Sequence, residues 1–131
     1  MGLDMTLTVH LGSQTRTSSH IGQGNKITIK WKQANQIHGW FVKHIQDNKD
    51  NYKRYMVKRR QIRSLISICE SVLQTPSKAE ELLPSYQGFF FGTYGYDKNY
   101  FDQIRDTIDK LSMVIRETEG THCSIYYEGR W

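Results

Sequence analysis

Leu3, Met5, Leu7, Val9 and Leu11 alternate with Asp4, Thr6, Thr8 and His10, so the chain opens on a two-residue hydrophobic repeat. That period turns one apolar face toward a core and predicts a half-buried strand. A polar Gly/Ser/Thr stretch over residues 12–25 follows. Ile27, Ile29 and Trp31 then alternate again in KITIKW and predict a second strand, paired antiparallel with the first. The period changes at Ala34: with Ile37, Phe41 and Ile45 it recurs every three or four residues, predicting an amphipathic helix over KQANQIHGWFVKHIQDN that ends in DNKDN. Gly39 inside it costs about 1 kcal/mol relative to Ala and so marks a close helix contact.

Tyr55 and Val57 suggest a very short extended piece before a second helix, whose apolar face is Ile62, Leu65, Ile66, Cys69, Val72 and Leu73. Thr75-Pro76 stops that helix. Ser77, with Glu80 three residues on, reads as the capping box of a brief helix in SKAEELL, ended by Pro84. Asp97 reads as the cap of a last helix with the stripe Phe101, Ile104, Ile108, Leu111 and Ile115, and Gly120 follows its end. HCSIYYEGRW alternates Cys123, Ile125 and Tyr127 and predicts a closing strand. The order implies an α+β fold, a small and mostly antiparallel sheet packed against three to four helices, in a single domain over residues 1–131.

Composition narrows the class. With 37% hydrophobic and 12% aromatic residues in 131, the chain has enough apolar surface to bury a core, which excludes a disordered segment. No run of about 18 apolar residues offers a membrane span, and the start MGLDMTLTVHLGSQ lacks a secretory leader. The two cysteines, Cys69 and Cys123, are too few for a disulfide scaffold, and Cys69 lies on an apolar helical stripe. The expectation is a reduced, cytoplasmic protein.

Charge changes the picture more. Residues 1–63 hold 12 Lys/Arg against 3 Asp/Glu, a balance of +9, while residues 64–131 hold 6 against 10, a balance of −4. The asymmetry points to a polyanionic or acidic partner for the first half, or to head-to-tail association as a homodimer. KDNYKRYMVKRRQIR concentrates it: Lys49, Lys53, Arg54, Lys58, Arg59, Arg60 and Arg63 are opposed only by Asp50, with Tyr52 and Tyr55 interleaved. That composition suits phosphate neutralisation and base stacking, or the docking of an acidic protein, against the plainer alternative of a solvated face. The candidate contact set is Lys49, Lys53, Arg54, Tyr55, Lys58, Arg59, Arg60 and Arg63.

Chemistry is sparse by comparison. His10, His20, His38, His44 and His122 form no HExxH spacing, and His38 and His44 fall on different helix faces; each is read as a surface or satisfied polar residue. Spacing alone leaves open a metal site assembled across the fold. There is no GxSxG, the IGQGNK glycines open no phosphate-cradling helix, and Asp102, Asp106 and Asp109 alternate with Lys98, Arg105 and Lys110 as a solvated face. No cofactor, no metal and no enzymatic activity are expected. The aromatic stretch ELLPSYQGFFFGTYGYDKNYFDQ is read as mainly structural, with Phe89 and Phe91 in the core and Phe90, Tyr94 and Tyr96 as contact residues.

Read together, MGLDM, ANQIHGWFV, AEELLP, GFFFG, YDKNYF and the terminal Trp131 give a chain that resembles a family of small phage and prophage proteins. Its pattern runs MGLDMYL, ANxIHxWFV, AEELLPxxxGFFFG and YDxxY, matched here at Met1–Met5, Ala34–Val42, Ala79–Pro84, Gly88–Gly92 and Tyr96–Tyr100. The family brings no established catalytic residue or ligand. The chain departs from it between Asn48 and Arg63, acidic to neutral in the relatives and strongly basic here, and at Lys58, where a Ser-type cap is usual. What the resemblance implies, by analogy with small phage proteins, is an accessory protein that binds and blocks a host defence protein or its nucleic-acid complex, as anti-CRISPR inhibitors do. The alternative is a nucleic-acid-binding accessory protein using residues 49–63.

Overall fold

The computed structural model describes residues 2–12, 26–87 and 95–131. Strands β1 (Asp4–Leu11), β2 (Lys26–Lys32), β3 (Tyr55–Val57) and β4 (Cys123–Arg130) form one antiparallel sheet in the order β2-β1-β4-β3. Helices α1 (Asn35–His44), α2 (Arg59–Gln74), α3 (Ala79–Leu82) and α4 (Lys98–Glu117) complete the described elements, with a 3-10 turn at Pro76–Lys78 before α3. The closing strand therefore inserts beside the opening one, and the two termini of the chain build the middle of the sheet.

The two-residue repeats sort the sheet faces as the pleat requires. Met5, Leu7, Val9, Ile29, Trp31, Ile125, Tyr127 and Val57 are buried on the inner face. Against them lie Ile37 and Phe41 of α1, Ile62, Leu65, Cys69 and Val72 of α2, and Ile104, Leu111 and Val114 of α4. Phe41 stacks on Tyr127 with ring centroids 3.8 Å apart and planes 6° from parallel. Trp31 satisfies its buried indole N–H by donating to Thr107 Oγ1 at 2.9 Å, which pins β2 to α4.

Local chemistry fixes the element ends. Asp97 Oδ1 accepts from the Tyr100 N–H at 3.2 Å, the expected cap of α4, and Gly120 takes φ 69° after its end. Lys58 precedes α2 in extended conformation, and Gln61 Oε1 accepts its backbone N–H at 2.8 Å, the half of a capping box that the third helical position supplies. Two expectations are corrected. Ser77 caps nothing: Pro76 nucleates a 3-10 turn that contains it, and α3 starts after Lys78 without a side-chain cap. Nor is α1 one-sided, since Asn35, Gln36 and His38 are buried along with Ile37, Trp40, Phe41 and Val42. Each of those polar side chains has a tertiary partner, so a helix that looks amphipathic in sequence is enclosed. The close approach at Gly39 is made by Tyr86, whose Cβ would lie 2.7 Å from an added methyl.

Candidate functional site

The basic segment leaves α1, forms the edge strand β3 and enters α2. Its register on β4 (Tyr55 opposite Tyr127, Val57 opposite Ile125) turns Val57 into the core and Met56 outward, where it is 62% exposed. Lys49, Lys53, Arg54, Lys58, Arg60 and Arg63 are exposed. Lys53, Lys58, Arg60 and Arg63 have no ion-pair partner among the described residues. Arg54 lies over the Tyr126 ring, 4.4 Å from its centroid, and holds its charge outside the sheet.

Two of the candidate residues face inward. Arg59 is spent on the molecule itself: Nε donates to Thr118 Oγ1 at 2.8 Å, and Nη2 donates to the Ile115 carbonyl at 2.7 Å and to Glu119 at 3.0 Å. A cation at the carboxyl end of α4 meets the negative end of the helix dipole and ties that end to the start of α2. Tyr55 is half-buried and donates to Asn51 Oδ1 at 2.9 Å. Of the aromatic contact residues, Phe90 and Tyr94 lie outside the described residues, as do Phe89 and Phe91. Tyr96 is 36% exposed at the start of α4, where its oxygen accepts the Ser85 N–H at 2.9 Å and its ring meets Tyr100 edge-on.

The most developed polar arrangement is one that sequence reading passed over. His38 on α1 is fully buried, with Nδ1 2.6 Å from Tyr127 Oη and Nε2 2.8 Å from Asp50 Oδ1. A carboxylate only accepts, so Nε2 carries a proton, and in the neutral ring Nδ1 accepts from Tyr127. Tyr86 donates to the other Asp50 oxygen at 3.2 Å. Burial holds Tyr127 well above its ordinary pKa, with the Asp50 charge adding to it, so the phenol stays a donor; Tyr86 is raised by the same causes. Both imidazole nitrogens are committed inside the protein, and the chain Tyr127–His38–Asp50–Tyr86 fastens β4, α1, the loop before β3 and the loop after α3. The signal for it was a run of uncharged polar residues, Asn35, Gln36 and His38, set among apolar ones; the partners at positions 50, 86 and 127 were too distant to read.

Beside α1 lies a cavity of about 330 Å³, bordered by Trp40, Val42, His44, Leu82, Leu83 and Tyr86. Residues of α1 and of the stretch from Glu81 to Tyr86 meet at this cavity, and the Tyr100 hydroxyl donates to the Leu83 carbonyl at 2.7 Å. Cys69 is buried, and burial pushes its thiol up to about 12, with the nearby Glu70 charge acting in the same direction. Among the described residues no three His, Cys, Asp or Glu side chains gather as a metal ion would require, and no helix is long and apolar enough to cross a membrane. No protein-family model matches the chain, and neither the curated proteins nor the solved structures contain a match to it.

Proposed function

We propose that this chain is a non-catalytic binding protein of phage origin that attaches to a host defence protein, or to the nucleic-acid complex such a protein holds, and blocks it by occupancy. The supporting observation is the cation set Lys53, Lys58, Arg60 and Arg63, exposed at the β3–α2 junction without carboxylate partners among the described residues. Those charges would accelerate encounter with a negative surface. Residence would depend on apolar contact from the neighbouring Met56 and Tyr52, 62% and 45% exposed. The family resemblance supplies the phage setting and, with it, the cytoplasm of a host cell as the place of action.

The test begins with affinity capture from host lysate, with and without nuclease, followed by titration of the captured protein's activity. Inhibition should rise in proportion to the molar ratio and stop at equivalence, and a Lys58→Glu/Arg60→Glu/Arg63→Glu variant should fail to inhibit. Complete inhibition at a large molar deficit would show turnover and sink the proposal. Direct nucleic-acid binding is the second reading, favoured by the stacking of Arg54 on Tyr126.

A further inference from the structure

The outer face of the sheet carries no helix on its described residues, and the strand register lays its side chains out in four rows. Arg130, Asp4 and Lys32 make the first, and Glu128, Thr6 and Lys30 the second. Met56, Tyr126, Thr8 and Thr28 make the third, and Ser124, His10 and Lys26 the fourth. The two carboxylates are already engaged, Asp4 with Lys32 at 3.7 Å and Glu128 with Arg130 at 3.0 Å. Lys26 and Lys30 have no ion-pair partner among the described residues, and neither does Arg54 above Tyr126.

The layout is a line of cations beside a flat ring system. Lys26, Lys30 and Lys32 follow one another along β2 at intervals of roughly 14 and 7 Å, set by the strand rise. Two strand spacings away, about 10 Å, stands Tyr126 in the interior strand β4. Its ring meets His10 edge-on at 6.0 Å and carries the Arg54 guanidinium on its face. A second ring, Tyr52, sits at the same edge of the sheet under the Arg130 guanidinium, 5.5 Å from its centroid. Lysines alone would suit any polyanion. Planar cations layered on the half-buried Tyr126 and the exposed Tyr52 favour a partner with flat faces of its own as well as charge, since bases stack on aromatic rings and on guanidinium planes. A duplex keeps those faces stacked inside and offers a sheet only its phosphates and groove edges.

We propose that the outer sheet face binds single-stranded nucleic acid, its phosphates along Lys26, Lys30 and Lys32 and its bases against Tyr126 and Arg54. This rests on the second reading above, direct nucleic-acid binding, to which it gives a site and a strand class, and it is separate from the blocking function, which uses Lys53, Lys58, Arg60 and Arg63. The site tracks the strand without reading its sequence, because every base has a face to stack.

Fluorescence anisotropy of labelled single strands of about 12 nucleotides, one DNA and one RNA, against the matching duplex tests this. Saturable binding to a single strand is expected, roughly tenfold or more tighter than to duplex, and weakening steeply between about 50 and 200 mM salt. The DNA and RNA arms identify which strand is preferred. Tyr126→Ala should lose roughly tenfold or more, Tyr126→Phe should retain binding, and Lys26→Glu/Lys30→Glu should lose affinity and flatten the salt dependence by about 0.7 in log–log slope per phosphate contact. If Tyr126→Ala fails to fold, the exposed lysine pair decides. Absence of binding at low salt, equal affinity for duplex, or unchanged affinity in the lysine variant overturns the proposal. A loss confined to Lys58→Glu/Arg60→Glu/Arg63→Glu would overturn it too, while leaving the blocking function standing.

Discussion

Gly129 is the point at which the His38 network is most easily broken. A methyl added there would lie 2.5 Å from His38 Cε1, 2.8 Å from Nδ1 and 3.3 Å from the Tyr127 oxygen. Ordinary contact between heavy atoms begins near 3.5 Å, so the ring would have to retreat by about 1 Å. It has no easy retreat, because it is fully buried and held at 2.6 Å by Tyr127 and at 2.8 Å by Asp50. Overpacking of this kind costs roughly 1–3 kcal/mol, and a displaced ring that orphans the buried Tyr127 hydroxyl adds about 1–3 more. Gly129→Ala should therefore lose about 2–6 kcal/mol, a large part of the 5–15 kcal/mol typical of a domain. Urea unfolding of Gly129→Ala, His38→Ala and the double variant separates the causes. With the imidazole gone the methyl has room, so in the His38→Ala background Gly129→Ala should cost under about 1 kcal/mol, a coupling of roughly 1–3 kcal/mol or more. Additive losses, or a Gly129→Ala protein within about 0.5 kcal/mol of wild type, would refute the clash and the network it invokes.

Three further outcomes follow from the same geometry. Arg59→Ala should lose about 1–3 kcal/mol through its carbonyl and hydroxyl bonds to α4, while Arg60→Glu/Arg63→Glu should melt within about 0.5 kcal/mol of wild type; equal stability for both would refute the division of roles. Cys69 (pushed up to about 12 from 9.0), Tyr86, Tyr100 and Tyr127 are all raised, chiefly by burial, so the folded state holds protons that the unfolded chain releases. Their contribution is complete below the ordinary thiol value of 9.0 and is lost as pH rises above it, so the Tm should fall from about pH 9 upward; a flat Tm to about pH 11 would contradict this. In a thiol-titration assay the half-buried Cys123 should react in the native protein and Cys69 only on unfolding, and two equal rates would place Cys69 wrongly.

The scaffold was legible wherever one period held over several residues. β1, β2 and β4 lie where alternation put them, and α2 and α4 where the three-and-four spacing did, because one-sided burial is what writes those periods. The helix α1 lies where the spacing predicts it, but it buries Asn35, Gln36 and His38 as well as its apolar stripe, because tertiary partners for those side chains are invisible to a local window. The His38 network joins positions 12 and 89 residues apart, and no spacing rule encodes such a contact. The basic segment was visible as composition. Which cations remain available was not, because Arg59 differs from Arg60 only in facing the end of α4.

That difference matters for where charge is available to a partner. Part of the acidic charge of the second half is paired within α4: Asp102 with Lys98 at 2.8 Å and Arg105 at 3.2 Å, and Asp106 with Lys110 at 2.7 Å. Lys98 and Arg105 accordingly hold the Asp102 carboxyl below its ordinary range. Exposed pairs at this spacing add little stability, but they neutralise the field of the helix beyond a Debye length of about 8 Å. Lys26 and Lys30 on β2, and Lys53, Lys58, Arg60 and Arg63 on either side of β3, receive no such compensation among the described residues, so the net charge of +5 understates what an approaching partner meets on that side. Association steered by such a surface should slow as salt rises, whereas dissociation, governed by buried contact with Met56, Tyr52 and Tyr126, should change little. Rapid-mixing measurements across a salt series would separate the two, and a salt effect falling mainly on dissociation would mean the charges are buried in the complex rather than steering it.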